Sequence, residues 1–440
     1  MPKLISVIIV GGGLGGLSAA IALQRSGHRI TVLEGAKELS EIGAGIQVPP
    51  NTACILDAWG LLDELKEKAV WPGSIIMRRY ANGEIICATQ LKPDMADKYK
   101  YPYLLIHRAD YIKLLHDAAV NLGVKVIVNA RVQLVDEETN SVVLYNGRSF
   151  QSDLIIGADG IRSKVRHAVI GDDEITPHST NCAFRATISA EVMRSDPEIS
   201  HLMNDVNSNF WIGPERHVVG YPIKNGTLYN LVMALPGVAA ADKWNESGNL
   251  NEMKESYNDF DPVLKKILSY VTSCRKWALA ELPAITQWVS RSGTIALIGD
   301  AAHAMLPCLA QGAAQAIEDS ATLGILLSNI NSLEEIPSLL RLYERIRRPR
   351  TEIIQKGSFE NCNRWHLPDG AEQRARDEAM SKADASRGFR TKVEGVKSPL
   401  QWSDKDFQPW LYGHNAISVA KNVLKEIIKS PSSLEERPNL

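Results

Sequence analysis

The stretch GGGLGG at residues 11–16 follows an apolar run, residues 4–10, and precedes a segment with the pattern of a helix. Gly11, Gly13 and Gly16 match the spacing G-x-G-x-x-G. Without Cβ atoms at these positions, the backbone can turn tightly, approach a pyrophosphate and pack a helix against a strand. A phosphate would then lie on the N-terminus of that helix. The stretch therefore predicts a dinucleotide-binding turn between a strand and a helix.

An acidic residue follows this turn at the distance that such a site requires. The next predicted strand, residues 29–33, ends at Glu34. A carboxylate in this place accepts hydrogen bonds from a ribose hydroxyl of the nucleotide. An ordinary glycine-rich turn is the alternative, but it does not explain the second strand and its terminal acid. The combination predicts a site for an adenosine diphosphate moiety.

Composition and charge exclude several other classes of protein. The chain has 440 residues, 45% of them hydrophobic and 23% charged, with a formal net charge of -2. This length permits two or three domains with well-filled cores, and the balanced charge implies no polyanionic partner. Residues 4–23 are long enough to cross a bilayer, but their glycine cluster breaks any single helix. We therefore expect a soluble, cytoplasmic enzyme.

The cysteines are scattered along the chain without any C-x-x-C pair. This spacing argues against a zinc site and against a disulfide framework, so we expect reduced thiols and no bound metal. The six residues are Cys54, Cys87, Cys182, Cys274, Cys308 and Cys362.

Two further glycine-marked blocks occur later in the chain. Residues 153–160 read DLIIGADG, an apolar strand that delivers Asp159 at a turn. Another predicted strand, residues 294–298, leads into GDAAH at residues 299–303, and a helix is expected from about residue 313. The third block therefore repeats the order strand, turn and helix of the first block, and the second block repeats its strand and turn.

The segments between these blocks indicate the domain organisation. Residues 176–275 are richer in alternating, strand-like segments, which predicts an inserted, mainly β domain for the substrate. We expect an α/β fold whose Rossmann-like domain is formed by residues 1–175 and 276–335, followed by a helical region at 336–440. The basic run at residues 343–350 is predicted as a solvated helix end and not as a nucleic-acid site.

Together, the three blocks resemble the single-component FAD-dependent aromatic hydroxylases, most closely the salicylate-hydroxylase-like flavoprotein monooxygenases. The resemblance covers nearly the whole chain, and it implies that the Rossmann-like domain binds FAD. It also implies NADPH or NADH as the reducing co-substrate. The residues that it assigns to FAD are Gly11, Gly13, Gly16 and Glu34 at the ADP half, then Gly45, Gln47, Arg108, Asp159, Asp300, Pro307, Gly312 and Ala313.

The third block supports an anionic ligand by its own chemistry. A helix that opens at Gly312 and Ala313 directs backbone N–H groups and a positive partial charge at whatever lies there, as a reduced flavin would. Asp300 could instead be a plain helix cap. His303 could act as an acid or base near neutral pH or could simply pack in the interior. It is not assigned to the catalytic set.

Two residues of the inserted domain are candidates for the substrate. Arg185 interrupts the largely apolar strand 183–188, and a buried cation requires an anionic or hydrogen-bonded partner such as a phenolate or carboxylate. An outward-facing arginine paired with a surface acid is the alternative. The resemblance implies an arginine and a tyrosine that hold a deprotonated phenol, and Tyr221 is the matching tyrosine. A structural tyrosine before Pro222 remains the other interpretation.

The reaction that the resemblance implies is monooxygenation of a phenolic or heteroaromatic substrate. NADH or NADPH would reduce FAD, and the reduced flavin would trap dioxygen as a C4a-hydroperoxide that hydroxylates, dearomatises or epoxidises the ring. The cofactor carries this chemistry, while the protein orients the substrate. An FAD-dependent oxidase, a flavin-dependent halogenase and a noncatalytic FAD-binding sensor are the alternatives.

Parts of the chain depart from this family. Ala304 and Cys308 stand where proline and an aromatic residue are common, and residues 413–415 replace a common Tyr-Asp ending. The tail segment 366–370, with Arg376-Asp377, resembles fungal-type members that act in aromatic natural-product pathways. This favours a biosynthetic substrate over simple salicylate.

Overall fold

The computed structural model describes residues 2–39, 44–171, 175, 177–237, 245–384 and 399–429. The predicted boundary at residue 176 and the end of the C-terminal region, residues 430–440, lie outside the described residues. The strands are β1 (Ser6–Val10), β2 (Arg29–Leu33), β3 (Gly45–Val48), β4 (Ser74–Arg79), β5 (Ile85–Gln90), β6 (Leu104–His107), β7 (Lys125–Ile127), β8 (Val132–Asp136), β9 (Ser141–Leu144), β10 (Ser149–Gln151), β11 (Leu154–Gly157), β12 (His178–Ser189), β13 (Ser208–Gly213), β14 (Arg216–Ile223), β15 (Leu228–Pro236), β16 (Asn245–Ser247), β17 (Arg275–Glu281) and β18 (Ile295–Leu297).

The helices of the described chain range from four to thirty residues in length. They are α1 (Leu14–Arg25), α2 (Pro50–Ala58), α3 (Leu62–Lys68), α4 (Asp94–Tyr99), α5 (Arg108–Asn121), α6 (Val165–Ile170), α7 (Ala190–Ser195), α8 (His201–Asn204), α9 (Leu250–Glu255), α10 (Pro262–Ser269), α11 (Asp300–His303), α12 (Gly312–Leu326), α13 (Ile336–Trp365), α14 (Ala371–Ala383), α15 (Phe407–Tyr412) and α16 (Ala416–Lys429). Among the described residues, no helix is both long and apolar enough to span a membrane.

A parallel sheet brings the three glycine-marked blocks together. Its strand order within the described chain is β18-β11-β1-β2-β7, and every pairing in it is parallel. The carboxyl ends of parallel strands meet at one edge of a sheet, where ligands of open α/β folds bind. The blocks follow β1, β11 and β18, which are adjacent in this order. The predicted α/β fold with a parallel sheet and a helical C-terminal region is confirmed.

The second large sheet has eight strands in the described chain, in the order β16-β17-β12-β15-β14-β13-β4-β5. The sequence places this sheet within residues 176–275, but β4 and β5 join it from the first part of the chain through the parallel pair β4–β13. One apolar cluster, which includes Phe184 and Trp211, packs under helices α7 to α10. Another cluster, which includes Phe210 and Trp365, lies toward the C-terminal helices. The sheet is therefore sandwiched between two helical layers.

The basic run at residues 343–350 is not a solvated helix end throughout, so that prediction is wrong in part. Arg347 is 0% exposed and Arg350 is 6% exposed. Arg347 donates to Glu318 Oε2 (2.6 Å) and to Asp319 Oδ1 (2.8 Å), and Arg350 Nε donates to Glu318 Oε2 (2.8 Å). The two acids on α12 attract these guanidinium groups to the inner face of α13. The sequence could not reveal this network, because the partners are about thirty residues apart.

The expectation of reduced thiols is also wrong at one place. Cys308 and Cys362 form a disulfide, with their Cα atoms 5.6 Å apart. They are separated by 54 residues and meet because α13 packs along the turn Pro307–Leu309. The other four cysteines are buried. Spacing in the sequence could not reveal a pair created by packing.

Candidate active site

A single cavity of about 800 Å³ extends from the turn between β1 and α1 to the eight-stranded sheet. Its lining includes the residues predicted for the cofactor and those predicted for the substrate, although they belong to different sheets. Gly16 is the predicted residue that does not line it. The predicted residues that do are Gly11, Gly13, Glu34, Gly45, Gln47, Arg108, Asp159, Arg185, Tyr221, Asp300, Pro307, Gly312 and Ala313.

The glycine turn has the backbone geometry that the motif requires. Gly11 has a φ of +106°, and a Cβ there would collide with the carbonyl of Ala158. A Cβ at Gly16 would collide with the carbonyl oxygen of Gly11, so Gly16 allows α1 to pack on the turn. Gly13 is the N-cap of α1, without a side-chain capping bond, and nothing lies within 4 Å of the place its Cβ would take. The N-terminus of α1 therefore opens on the cavity.

Glu34 is held beside this turn by two backbone N–H groups. Gly12 donates to Oε2 (2.6 Å) and Ala36 donates to Oε1 (2.7 Å). The carboxylate is thus fixed at the carboxyl end of β2, on the cavity wall. This is where the motif predicts the partner of a ribose hydroxyl.

Asp159 organises its own turn. Its carboxylate accepts hydrogen bonds from Ser163 Oγ (2.5 Å) and from the backbone N–H of Lys164 (2.6 Å), just before α6. Burial raises the pKa of Asp159, and these hydrogen bonds partly offset the effect. The side chain therefore fixes the shape of the cavity wall, and direct contact with FAD stays a prediction.

The third block presents a carboxylate and a helix terminus to the cavity. Asp300 is exposed and begins α11, whose N-cap is Gly299, and it makes no capping hydrogen bond. The simple-cap interpretation of Asp300 therefore fails. The fifteen-residue helix α12 begins at Gly312, and its N-cap, Gln311, makes no side-chain capping bond. Its free N–H groups and positive partial charge are directed at the cavity.

These donors fit an FAD molecule. Two helix N-termini without side-chain caps supply N–H groups for anionic oxygens, and Glu34 supplies an acceptor for ribose hydroxyls. Arg108 also lines the cavity, and its guanidinium suits phosphate oxygens. Gly13 leaves open space for close approach of the ligand. The adenine part and the flavin part of the cofactor would thus lie at different places along this one cavity.

The substrate end of the cavity is built on one row of residues across four strands. Phe210 on β13 is opposite Val219 on β14, Val219 is opposite Val232 on β15, and Val232 is opposite Arg185 on β12. All four line the cavity. Neighbouring strands are roughly 4.8 Å apart, so the row spans about 14 Å from Phe210 to Arg185. The row forms an apolar surface of the cavity, with the Arg185 cation at its end.

Arg185 and Tyr221 lie on the same side of this sheet. The Arg185 guanidinium lies over the Trp277 ring, 5.0 Å from its centroid. Tyr221 is 3% exposed and packs against Gly45, where a Cβ would be 2.8 Å from the tyrosine oxygen. Burial raises the pKa of Tyr221, and the nearby Arg185 offsets this only partly. Arg185 therefore faces inward, and Tyr221 remains a neutral donor.

His217 is a cavity residue that the sequence patterns did not predict, and it lines the cavity with Val219 and Tyr221 from the same strand. His217 is 2% exposed, and its Nδ1 lies 2.7 Å from Nε2 of His366. Trp365 also lines the cavity, and its ring lies edge-on to His217 at 5.2 Å. Alternation along β14 could have revealed His217, because residues two apart share one face of a strand. Nothing local in the sequence predicts that α13 reaches this place.

His303 belongs to the structural network and not to the cavity wall. It is 1% exposed, and its Nε2 lies 2.7 Å from Asp319 Oδ2. Asp319 in turn accepts from Arg347. Burial alone would raise the pKa of Asp319, but His303 and Arg347 hold it below its usual value. The packing interpretation of His303 is the one that the structure supports.

Comparison with known proteins identifies the family. Residues 5–358 match the model of the FAD binding domain. The chain is 37% identical over 421 residues to the FAD-dependent monooxygenase OpS4 of Beauveria bassiana, covering 95% of this chain and 97% of the relative. It is 32% identical over 417 residues to a 3-hydroxybenzoate 6-hydroxylase of Klebsiella oxytoca, covering 94% and 98%. The fold is similar to a salicylate hydroxylase substrate complex, with a TM-score of 0.75, 22% identity and coverage of 95% and 97%.

The chain therefore belongs to the FAD-binding family of flavoprotein monooxygenases. This confirms the resemblance inferred from the three blocks, and it confirms FAD as the cofactor class.

Proposed function

We propose that this protein is an FAD-dependent, NAD(P)H-consuming monooxygenase that inserts one oxygen atom of O2 into a phenolic or heteroaromatic substrate. The observation that carries the proposal is the single cavity that joins the glycine turn to the Arg185 and Tyr221 surface. FAD, when bound, supplies the redox and oxygen-transfer chemistry, using electrons from NADH or NADPH. The relatives named as a monooxygenase and a 3-hydroxybenzoate 6-hydroxylase support this class of reaction.

The first block and the third block would hold the two halves of FAD. The N-terminus of α1 and Arg108 would bind the pyrophosphate, and Glu34 would accept from a ribose hydroxyl. Asp300 would hydrogen-bond the ribityl chain. The N-terminus of α12, at Gly312, would stabilise negative charge on the reduced ring. None of these residues forms a covalent bond with the substrate.

At the substrate end, charge and hydrogen bonding would activate the ring. A phenol becomes nucleophilic at its ortho and para carbons when it ionises, and Arg185 would favour this by stabilising the oxyanion. Tyr221 would donate a hydrogen bond to the same oxygen, because burial keeps it protonated. The apolar row from Phe210 to Val232 would bury the ring and exclude water.

A screen of substrates with isotopically labelled dioxygen tests this proposal. FAD-bound protein is mixed with NADH or NADPH and with phenols, hydroxybenzoates or indoles, and product masses are recorded under ¹⁸O2. We expect a product with one ¹⁸O atom and stimulation of NAD(P)H oxidation by the same compound. Oxidation of a substrate without NAD(P)H, or a product without ¹⁸O, would contradict the proposal. Bound FAD with no substrate-stimulated oxidation would favour a noncatalytic role.

A further inference from the structure

The tail segment noted in the sequence is attached to the eight-stranded sheet. Arg79, at the end of β4, pairs with Asp369 at 3.0 Å and with Asp377 at 3.4 Å, and Tyr80 donates to Asp369 at 2.8 Å. These contacts attach residues that follow α13 to the eight-stranded sheet. The end of α13 is thereby brought against β14, at the substrate end of the cavity.

A second set of contacts fixes the last turn of α13. Arg376 Nη1 donates to the backbone carbonyls of Arg364 (2.6 Å) and Trp365 (3.1 Å). The backbone N–H of Glu215, just before β14, donates to the carbonyl of His366 (3.1 Å). These hydrogen bonds fix the backbone around His366. The fold itself therefore places the His366 ring against His217.

The two imidazole rings share one proton at their contact. Nδ1 of His217 and Nε2 of His366 are 2.7 Å apart, so one nitrogen must donate and the other must accept. Burial lowers the pKa of His217 well below its usual value, and His366 adds to this. Burial and the Arg376 cation lower the pKa of His366 to about 4. Both rings are thus neutral at physiological pH, and the direction of this hydrogen bond sets the tautomer of His217.

We propose that His366 is a positioning residue that accepts a hydrogen bond from Nδ1–H of His217, so that Nε2 of His217 is an acceptor for a donor group of the substrate. This inference rests on the proposed function and refines its substrate class. The substrate would carry a hydroxyl or ring N–H in addition to the acidic hydroxyl that Arg185 and Tyr221 hold. No net proton transfer to His366 is involved.

The positions along β14 separate the two recognition points. His217 and Tyr221 are four residues apart on one face of the strand, which corresponds to roughly 13 Å between their Cα atoms. Tyr221 packs against Gly45, on the cofactor side, whereas His217 packs against Trp365, on the C-terminal side. The donor group bound by His217 therefore lies at the end of the substrate that points away from Gly45.

The tautomer can be observed directly in FAD-bound protein labelled with ¹⁵N-histidine. Two-bond ¹H–¹⁵N spectra distinguish protonated from unprotonated ring nitrogens, and the signal lost in His217→Gln assigns His217. We expect wild-type His217 to carry its proton on Nδ1. His366→Phe offers no acceptor, and a buried N–H without a partner is costly, so the proton should move to Nε2. His366→Gln restores an acceptor oxygen and should restore the wild-type signal.

The matching kinetic test uses the compound identified by the ¹⁸O2 screen. We expect kcat/KM to fall about tenfold in His366→Phe, the loss of one hydrogen bond, and to recover in His366→Gln. His201→Gln, at an exposed histidine of α8, is the matched control and should be unchanged. A wild-type proton on Nε2 of His217, or an unchanged tautomer in His366→Phe, would overturn the proposal. If the wild type forms no product, the proposed function fails, whereas the spectra still decide the role of His366.

Discussion

The two ends of the cavity are encoded in different ways. At the cofactor end, Gly11, Asp159 and Asp300 lie in short blocks that each follow a strand of one parallel sheet. At the substrate end, Arg185 and His217 are single residues on separate strands, and Trp365 comes from a helix near the C-terminus. Backbone shape and local spacing define the first end, whereas tertiary packing defines the second. Variants at the two ends of the cavity should therefore lose different properties of the protein.

The largest expected effect concerns the support of the cofactor end. Arg347→Ala would remove the one arginine that pairs with both Glu318 and Asp319, which are buried. Burial alone would raise the pKa of Glu318, but Arg350 and Arg347 hold it well below its usual value. Removing one partner of such a network costs about 3–5 kcal/mol in free energy of unfolding. Denaturant unfolding measures this loss.

Arg341→Ala is the matched control, because Arg341 is exposed on the same helix. A surface change of this kind is expected to alter the free energy of unfolding by no more than about 0.5 kcal/mol. Equal effects of the two variants would show that the buried network adds nothing to stability.

Variants at the substrate end should lose turnover and keep cofactor binding. Arg185→Ala is expected to retain FAD but to lose about 2.7 to 4 kcal/mol of transition-state stabilisation, roughly a hundredfold to a thousandfold in rate. Arg185→Lys should restore only part of this, since a point charge lacks the planar fork of donors. Product formation against pH should shift to more alkaline values in Arg185→Ala. Wild-type rates with the wild-type profile would make Arg185 a structural residue.

Variants at the cofactor end should instead lose affinity for FAD and largely keep turnover. Glu34→Ala removes the acceptor of a ribose hydroxyl, and a charge-assisted hydrogen bond of this kind is worth roughly 1.5 to 3 kcal/mol. We expect FAD to dissociate more easily, as measured by flavin fluorescence on dilution, while turnover at saturating FAD is largely kept. Unchanged affinity for FAD would show that Glu34 does not bind the cofactor.

The last expected effect is on the pH dependence of stability, and it is absent at neutral pH. Burial lowers the pKa of His366 and His414 to about 4, and unfolded histidine titrates near pH 6.5. Below pH 6.5 the unfolded chain binds protons that the folded chain does not, so stability is complete above pH 6.5 and falls down to about pH 4. Each histidine contributes about 1.4 kcal/mol per pH unit in this interval. His414→Gln should reduce the slope of unfolding free energy against pH, and an unchanged slope would contradict a buried neutral His414.

The same difference explains what the sequence could predict. The blocks around Gly11, Asp159 and Asp300 are local, so strand, turn and acid could be read in order, and the sheet brings them together as expected. The inward direction of Arg185 needed the register of β12 against β15. The contact of His217 with His366 joins residues 149 positions apart, and no local pattern encodes it.

The disulfide between Cys308 and Cys362 and the burial of Arg347 were mispredicted for a related reason. Each depends on where α13 packs against the rest of the fold. The helix itself could be expected from its composition, but its inner face could not. Long-range packing of the C-terminal region is therefore the part that the sequence least reveals.

The central claim is that cofactor and substrate share one cavity, and a flavin titration tests it most directly. FAD-bound protein is titrated with the compound found in the ¹⁸O2 screen, and the flavin absorption spectrum is recorded without NAD(P)H. We predict a saturable change in the flavin bands for the wild type, and weaker binding with the same final spectrum in Arg185→Ala. A compound that is turned over but leaves the flavin spectrum unchanged at saturation would contradict a shared cavity.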